Sequence, residues 1–579
     1  MTQSLPAIHV LLRALEEEGV THIFGIPGGP LVPVFQALNE RQRIQPILAR
    51  HEEGAAFMAE GYARVRRGLG VCCGTSGPGA TNALTGVASA YSDSIPVLAL
   101  TAQVSTNVFG KGGAQDSSSG NWNVDVVEAY RSATKLSLML QSGQQMPHLI
   151  RRMIRTALTG RTGAVHLNLP ADVVKQPAPV DAHPVTKYYS HTVAAGDPRA
   201  IRQAAEIVKA AKMPALLVGH GINLSGAWEP LQRIAEAEGI PVATTLKGKS
   251  AFPERHRLSL GGFGFGGHPL AEEYLFSDVD ALIIIGTSLG EFQSNGWDPR
   301  LVRNRTVIQI DLDPLEIGKN YPVDLSIVGD AKAVLEALAD TLASLPQETQ
   351  RCTYTVLEQM KAREPRYYNA ETLQGQARML KPQAVVSKMN ELLPPETLLF
   401  VDVGNCLCWA GQFYEARQTG TVFSATNVAP MGYSIAAAIG GKIAAPDKPV
   451  VALLGDGAFA MNGMEIHTAV DYKLPIVYVV LNNGGHGMVY HGEKSLNGKS
   501  YLSLYNTPLD ISAIAQGLGA QALKVRTLEE FESSLRQAFE LQEPCVIDVV
   551  VDLEEIPRSL QKRVNTLSAF FGEEKEREA

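Results

Sequence analysis

Short apolar runs that end in a glycine or a polar turn recur along this chain, and segments with helical spacing lie between them. In the last third of the chain such runs occupy residues 397–401, 448–454 and 476–481. Continuous apolar runs of this length are typical of strands that are buried on both faces of a parallel sheet. The alternation of these strands with helices predicts an α/β fold.

Two joints divide the alternating pattern into three blocks. The first joint, 176–196, is rich in proline and is predicted to be an extended linker that adds no strand to a sheet. The second joint, around 343–374, is predicted to hold a connecting helix and a loop. Because 579 residues are too many for one hydrophobic core, several domains are expected.

We therefore predict three doubly wound parallel-sheet domains at residues 1–178, 195–345 and 376–555, followed by a C-terminal tail at 556–579. The middle block carries strands that end in glycine or aspartate turns, which favours a Rossmann-like domain there. The last seven residues, 573–579, are charged and are expected to fray.

Composition narrows the class of protein. Apolar residues make up 45% of the chain and charged residues 19%, as in a well-packed globular enzyme. A net charge of −8 offers no basic surface for nucleic acid, and no apolar run reaches the length of a membrane span. The six cysteines form no regular framework, and the first residues lack the order of a signal peptide. We expect a cytoplasmic enzyme that binds neither nucleic acid nor a membrane.

The most specific signal lies where two predicted strands of the third block end. Gly455, Asp456 and Gly457 follow the first strand, and Asn482 and Asn483 follow the second. Parallel strands bring their carboxyl ends to the same edge of a sheet. Carboxylate and amide oxygens suit Mg²⁺, and glycines let the backbone approach a phosphate closely. Together the two segments predict a magnesium and diphosphate site. Alone, the Gly-Asp-Gly segment would be an ordinary turn and the Asn-Asn segment a polar strand end.

The run 455–483 resembles the signature of the thiamine-diphosphate enzymes, in which a Gly-Asp-Gly turn is followed at a fixed interval by Asn-Asn. Residues 21–29, 49–64 and 71–82 look like the pyrimidine-binding domain of the acetolactate synthase-like branch of that family. The resemblance spans nearly the whole chain. It implies a pyrimidine-binding first domain, a central domain and a diphosphate-binding third domain.

The resemblance also implies the cofactors, thiamine diphosphate and Mg²⁺, and the residues that hold them. The implied metal ligands are Asp456, Asn483 and the backbone carbonyl of Gly485. The expected cofactor contacts lie after the ends of strands or at the beginning of helices. They are Pro27, Gly28, Gly404, Asn405, Cys406, Ala429, Met431, Gly455, Gly457, Ala458, His486 and Met488. From its type alone Met431 is more often a core residue than a cofactor contact.

Glu52 is the carboxylate that the resemblance assigns to cofactor activation, through a proton shared with the aminopyrimidine ring. The alternative is an acidic first turn of a helix, which is the favoured interpretation for Glu53. His486 and His491 are candidates for proton transfer to substrate because imidazole titrates near neutral pH; each is equally a hydrogen-bonded loop histidine. Gln115 lies in a segment that resembles part of the substrate pocket.

The central domain of acetolactate synthases can hold FAD, and residues 310–320 match that pattern. After Gly286, however, the run Thr287 to Glu291 departs from the flavin-binding members. The sequence therefore favours a central domain without FAD over one that binds it.

The resemblance implies decarboxylation of a 2-oxo acid with transfer of the acyl unit to a second carbonyl acceptor. The alternatives are a non-ligating decarboxylase or carbon-carbon lyase or hydrolase and, more remotely, a catalytically silent cofactor-binding subunit. Two departures, Ala114 in place of a phenylalanine and Gly492 in place of a tryptophan, point away from a typical acetolactate synthase.

Family members place the pyrimidine-binding domain of one chain against the diphosphate-binding domain of another. The resemblance thus implies a dimer or tetramer with its active site between subunits, acting on small-molecule 2-oxo acids and a carbonyl acceptor.

Overall fold

The computed structural model describes residues 4–120, 122–190, 192–347, 349–368, 370–373 and 379–564. Three six-stranded sheets, each with only parallel pairs among the described strands, lie in succession along the chain. Helices cover the sheets, which confirms the predicted α/β fold of three doubly wound domains. The exact domain limits stay predictions, and the expected frayed end at 573–579 lies outside the described residues.

The first sheet has the strand order β3-β2-β4-β5-β7-β6. The strands of the first domain are β1 Ser4–Pro6, β2 His22–Gly25, β3 Gln45–Leu48, β4 Gly70–Gly74, β5 Val97–Gln103, β6 Ser137–Met139, β7 Val165–Pro170 and β8 Pro177–Pro179. Its helices are α1 Ala7–Glu17, α2 Val32–Arg41, α3 Glu52–Arg66, α4 Pro78–Ser92, α5 Val126–Arg131 and α6 Met146–Leu158. The central strands β4, β5 and β7 are buried along their whole length.

One prediction about the first joint is wrong. Strand β8 lies inside the proline-rich segment 176–196 and pairs antiparallel with β1, with Leu5 opposite Ala178. This ribbon has only two strands, so each prolyl nitrogen, which carries no hydrogen to donate, can face away from the single partner strand. The start of the chain is thereby tied to the end of the first domain.

The central sheet has the order β11-β10-β9-β12-β13-β14, which is that of a Rossmann-like domain. Its strands are β9 Pro214–Val218, β10 Val242–Thr245, β11 Ser259–Phe263, β12 Ala281–Ile285, β13 Thr306–Asp311 and β14 Leu325–Val328. Its helices are α7 Pro198–Ala210, α8 His220–Ser225, α9 Trp228–Glu238, α10 Pro269–Phe276 and α11 Ala331–Ser344. Helix α12, Thr353–Arg363, is the connecting helix predicted in the second joint.

The third sheet has the order β16-β15-β17-β18-β20-β19. Its strands are β15 Leu398–Val401, β16 Val422–Ser424, β17 Val450–Gly455, β18 Val477–Asn482, β19 Gln521–Val525 and β20 Cys545–Val550. Its helices are α13 Pro382–Leu392, α14 Asn405–Phe413, α15 Tyr433–Ala444, α16 Asp456–Asn462, α17 Ile466–Asp471, α18 Gly487–Asn497, α19 Ile511–Gly517 and α20 Leu528–Leu541. Short 3₁₀ turns occupy Gly29–Leu31, Thr106–Val108, Gly143–Gln145, Val173–Lys175, Val185–Tyr188, Leu246–Gly248, Pro299–Val302, Ala370–Leu373 and Gly463–Glu465.

The first and third sheets share one topology. Counted from the first strand of each sheet, both follow the order 2-1-3-4-6-5. The order in which the chain adds strands reverses between β2 and β4 in the first domain and between β15 and β17 in the third. Ligands of open α/β sheets bind at this point, beyond the carboxyl ends of the strands.

Helices α3 and α15 join the first and third domains of the same chain. A Cβ on Gly61 would overlap the carbonyl oxygen of Ala437, and one on Gly440 would overlap that of Met58. The two backbones therefore touch, which only glycine allows. Since Met58 meets Gly440 and Gly61 meets Ala437, the helices run antiparallel.

A cluster of ion pairs lies where all three domains meet. Arg64 of α3 donates to Glu60 at 2.6 Å and to Asp93, which follows α4, at 2.8 Å. Lys247 of the central domain donates to the other oxygen of Asp93 at 3.0 Å. The turn that carries Asp93 also reaches the third domain, because Asn427 Nδ2 donates to the carbonyl of Ser92 at 2.6 Å. Asp93 is thus the meeting point of the junction cluster Glu60, Arg64, Asp93 and Lys247.

No helix in the described part of the chain is both long and apolar enough to cross a membrane.

Candidate active site

The ends of the three neighbouring strands β15, β17 and β18 form a cradle in the third domain. Gly455 ends β17 opposite Leu481 of β18, so Asp456 and Asn483 follow at the same edge of the sheet. Gly404 follows β15, the other neighbour of β17, and precedes helix α14. The structure therefore brings together the strand ends from which the diphosphate and metal site was predicted.

Asp456 is the only carboxylate among the predicted metal ligands. One of its oxygens accepts from the backbone N–H groups of Gly484 and Gly485, each at 2.8 Å, and the other accepts from Gly457 N–H at 3.1 Å. Burial raises the pKa of this carboxyl to about 6 although the amides partly offset the effect. No cationic side chain in the described ranges lies within 4.0 Å of it. A bound cation would supply the missing opposite charge.

Two amide oxygens of the cradle are buried and without a partner. Among the residues that the structure describes, Asn483 Oδ1 and Asn405 Oδ1 make no hydrogen bond. Buried oxygens without donors are rare in folded proteins and suit a ligand such as a hard cation. The described residues hold no group of three or more His, Cys, Asp or Glu side chains fit for a metal. The donor set of one carboxylate with amide and backbone oxygens fits Mg²⁺ that shares its shell with a diphosphate.

Asp402, which follows β15, holds the cradle together and was missed in the sequence. Its fully buried carboxylate accepts from the N–H groups of Gly432 at 2.9 Å and Ser434 at 2.7 Å, at the start of α15. Burial raises its pKa to about 6, and these amides only partly offset that. The bonds fix the segment carrying Ala429 and Met431 against β15. An aspartate directly after an apolar strand was the available signal.

Met431 and His486 meet over Gly457. A Cβ on Gly457 would lie 2.7 Å from His486 Nδ1 and 3.0 Å from Met431 Cε, so a larger residue there would displace the His486 ring. Ala429 has a left-handed backbone, with φ of 58°, which is uncommon for a residue with a Cβ and is often found at functional sites. Ala458 lies on α16 beside Gly432. These predicted cofactor contacts therefore share one side of the cradle.

The remaining predicted contacts of the third domain are less accessible. Cys406 is buried, its thiol donates to Asp402 O at 3.2 Å, and burial raises its pKa well above the ordinary range. Met488 packs against the core of this domain. His491 is 1% exposed, and both of its ring nitrogens are hydrogen-bonded, to Asn405 and to the carbonyl of Leu553.

Glu52 is the first residue of α3 and is 7% exposed. One of its oxygens accepts from Asn82 Nδ2 at 3.0 Å. The other lies 3.0 Å from where a Cβ on Gly79 would stand, which places the carboxylate over the turn between β4 and α4. Asn82 was not singled out in the sequence, although it lies in the run 71–82 that carries the resemblance.

Gln115 and Gly28 lie around the same turn. Gln115 packs on Gly77, and its side-chain oxygen accepts from Ser76 Oγ at 3.4 Å. Gly28, preceded by Pro27 after β2, is so close to Thr75 that a Cβ would overlap its hydroxyl. The first domain thus gathers its predicted site residues at the point between β2 and β4 where the strand order reverses.

Within one chain, the predicted site residues of the first domain and those of the third domain lie at opposite ends of the pair formed by α3 and α15. Arg64 faces Tyr433, at the start of α15 and two residues from Met431, with 5.8 Å between its guanidinium carbon and the ring centre. From Glu52 to Arg64 helix α3 rises about 18 Å. Glu52 is therefore remote from the cradle of its own chain.

The central segment 310–320, from which the expectation about FAD was drawn, contacts the first domain. Arg161 pairs with Glu316 at 2.8 Å and with Asp313 at 3.5 Å. The prediction about FAD stays a prediction.

Three family models match successive parts of the chain. The N-terminal TPP binding domain of thiamine pyrophosphate enzymes matches residues 7–121, the central domain matches 201–338, and the C-terminal TPP binding domain matches 402–549. The chain therefore belongs to the thiamine pyrophosphate enzyme family, and it is a thiamine-diphosphate-dependent enzyme.

Within the family, the chain is similar to proteins named for acetolactate synthesis. It is 35% identical to the probable acetolactate synthase large subunit of Methanocaldococcus jannaschii, over 94% of this chain and 92% of that protein. It is 34% identical to the acetolactate synthase large subunit of Corynebacterium glutamicum, over 93% and 86%. It is 32% identical to the acetolactate synthase isozyme 3 large subunit of Escherichia coli, over 97% of each.

These relatives overturn one expectation. The prediction that the chain is not a typical acetolactate synthase is wrong, because the likeness to enzymes of that name runs through nearly its whole length. The prediction depended on Ala114 and Gly492. A Cβ on Gly492 would meet no heavy atom within 4 Å, so a side chain missing at this open position says little about the shape of the pocket.

Proposed function

We propose that this enzyme decarboxylates pyruvate and joins the remaining acyl unit to a second pyruvate, which yields acetolactate. The proposal rests on the cradle. Its buried Asp456 has no cationic partner in the described ranges, and two of its buried amide oxygens have no hydrogen-bond partner there. The relatives named for acetolactate synthesis supply the substrate, since acetolactate contains the carbons of two pyruvate molecules less one CO₂.

The third domain would hold the cofactor by its diphosphate. Asp456, Asn483 Oδ1 and the carbonyl of Gly485 would ligate Mg²⁺, and Gly457 leaves room for close approach. Bound thiamine diphosphate supplies a carbon nucleophile and accepts the electron pair released as CO₂ leaves. Met431 and His486, which meet over Gly457, would bound the space beside it.

Glu52 would hold a proton shared with the pyrimidine ring of the cofactor. Its carboxylate is suited to this because Asn82 fixes one oxygen and leaves the other beside Gly79. Only 7% of Glu52 is exposed, so little water competes at its carboxylate. Gln115, on the same turn, would orient the substrate.

The test is product analysis with the purified chain, Mg²⁺, thiamine diphosphate and pyruvate. We expect acetolactate and CO₂ in equal amounts. Glu52→Gln should lower the rate by a factor of about 10² to 10⁴, whereas Glu53→Gln, the matched control one residue along α3, should keep most of the activity. Acetaldehyde in place of acetolactate would indicate a non-ligating decarboxylase, and absence of both products would contradict the proposal.

A second copy of the chain would complete the site. Support comes from the separation of about 18 Å between Glu52 and the cradle end of α15 and from the backbone contact that fixes α3 on α15. The first domain of one copy would then face the third domain of another.

Mixing two inactive variants tests this arrangement. Glu52→Gln and Asp456→Asn disable different domains, so a mixed dimer retains one site with both residues intact. After denaturation and refolding together, or co-expression, about a quarter of the wild-type activity is expected for a symmetric dimer. Activity no higher than that of the separate variants would argue for a site within one chain.

A further inference from the structure

His491 lies on α18, where its ring bridges two separate parts of the third domain. Nε2 is 2.6 Å from the carbonyl oxygen of Leu553, which follows β20. Nδ1 is 3.0 Å from Asn405 Nδ2, at the start of α14. With 1% of the residue exposed, the ring has no free nitrogen to offer a substrate.

The two hydrogen bonds fix the direction of donation through the ring. A carbonyl oxygen only accepts, so Nε2 must carry the hydrogen. Burial lowers the pKa of His491, which favours the neutral ring with Nδ1 as an acceptor. Asn405 must then present its NH₂ group to His491, and its oxygen points the other way.

Asn405 Oδ1 is buried and makes no hydrogen bond within the part of the chain that the structure describes. Gly487 lies beside the nitrogen end of this amide, where a Cβ would stand 3.2 Å from Asn405 Nδ2 and would overlap Asn483 Nδ2. The amides of Asn405 and Asn483 therefore share one wall of the cradle.

We propose that His491 is a positioning residue, which locks the Asn405 amide with its oxygen toward the cofactor and the metal shell. This assignment rests on the proposed function of the cradle. It replaces direct proton transfer, the role expected from the sequence, with control of the neighbouring amide. Without the ring acceptor the amide is free to rotate and to turn its NH₂ group toward the site, where a cation or its water needs an oxygen.

The test measures binding of thiamine diphosphate to the full cofactor-free chain in Mg²⁺ by isothermal titration calorimetry. His491→Leu removes both hydrogen bonds and should weaken binding about ten- to hundredfold, as loss of an outer partner of a metal site typically does. His491→Gln keeps a donor for Leu553 and an acceptor for Asn405 and should bind within about threefold of wild type. His166→Gln, another buried histidine with two partnered nitrogens but in the first domain, is the control and should bind like wild type.

A double-mutant cycle separates positioning from a general structural role. If His491 acts through Asn405, then His491→Leu should add almost nothing to the loss caused by Asn405→Ala. Additive losses, equal binding by His491→Leu and wild type, or equal weakness of the Leu and Gln variants would each overturn the proposal. Should the Leu variant unfold, His491→Asn, too short to reach both partners, takes its place in the cycle. Failure of the wild-type chain to bind the cofactor would instead contradict the proposed function.

Discussion

Asp456 of the cradle and Asp93 of the junction cluster are the same residue type at similar depth, yet their environments are opposite. Burial raises the pKa of Asp456 to about 6, since only backbone amides face it. Burial acts in the same direction on Asp93, but Lys247 and Arg64 outweigh it and hold the pKa well below the ordinary aspartate value. Asp456 has no cationic side chain beside it in the described ranges, whereas Asp93 is paired with two.

The difference separates a binding site from a structural ion cluster. A cluster that stabilises the fold must pair its charges within the protein, because an unpaired buried charge is costly. A site for a charged ligand must leave some charge uncompensated until the ligand arrives. The charge of Glu60 is only partly compensated, because Glu60 shares Arg64 with Asp93. Burial raises the pKa of Glu60 to about 7 although Arg64 lies next to it.

The largest expected effect follows from breaking the junction cluster. Asp93→Asn leaves Arg64 and Lys247 without a full counter-charge at the meeting point of three domains. The free energy of unfolding of the cofactor-free chain should fall by about 3–5 kcal/mol, measured by urea unfolding. The matched control is Asp181→Asn, which removes a half-exposed pair with Arg151 and should cost less than about 1 kcal/mol. Equal losses in both variants would show that the junction cluster has no special weight.

A smaller effect, on binding rather than folding, is expected from Asp456→Asn. Loss of the charged ligand should weaken Mg²⁺-dependent binding of thiamine diphosphate about a hundredfold or more. The stability of the cofactor-free chain should stay within about 1 kcal/mol of wild type, because no cationic side chain is left unpaired. Calorimetric titration and urea unfolding measure the two quantities, with the exposed Asp447→Asn as control. A large loss of cofactor-free stability would place Asp456 with the structural carboxylates.

The smallest expected effect is a pH dependence of the loss in free energy of unfolding that Asp93→Asn causes. Because the folded pKa of Asp93 lies below the unfolded value of 3.8, its stabilisation is complete above that value and is lost as pH falls through the folded pKa. The difference between wild type and variant should shrink as pH falls from about 5 to about 3; above about pH 5 the titration of Glu60, whose pKa Asp93 helps to raise, changes it as well. Urea unfolding of both chains across this range measures it. A difference that grows on acidification would contradict the assigned pKa.

The strands that lead to the site were predictable because they are continuous apolar runs. The runs 448–454 and 476–481 correspond to β17 and β18, and the polar residues after them mark the site. Strand β8 was missed because its prolines argue against a strand, and only the pairing with the distant β1 accounts for it. Composition reports what a segment favours locally, whereas an edge pair depends on a partner elsewhere in the chain.

The sequence identifies candidate site residues but not their mutual contacts. Asp456, Asn483 and Glu52 belong to recognisable runs, and the structure places each at the end of a strand or the start of a helix. The hold of Asp402 on Ser434 and of His491 on Asn405 joins segments far apart in sequence. Such contacts arise from packing, and a single sequence carries no sign of which partner a buried polar side chain will find.

The glycine contact between α3 and α15 has a practical consequence for dissecting this enzyme into fragments. The face of α3 that meets α15 carries apolar side chains such as Phe57 and Met58, which are fully buried in the intact chain. Expressed alone, the first domain would turn that face and its close-packed backbone toward water and would tend to aggregate. A soluble pyrimidine-binding fragment would need replacement of these side chains by polar ones, and that redesign would in turn prevent reassembly with the third domain.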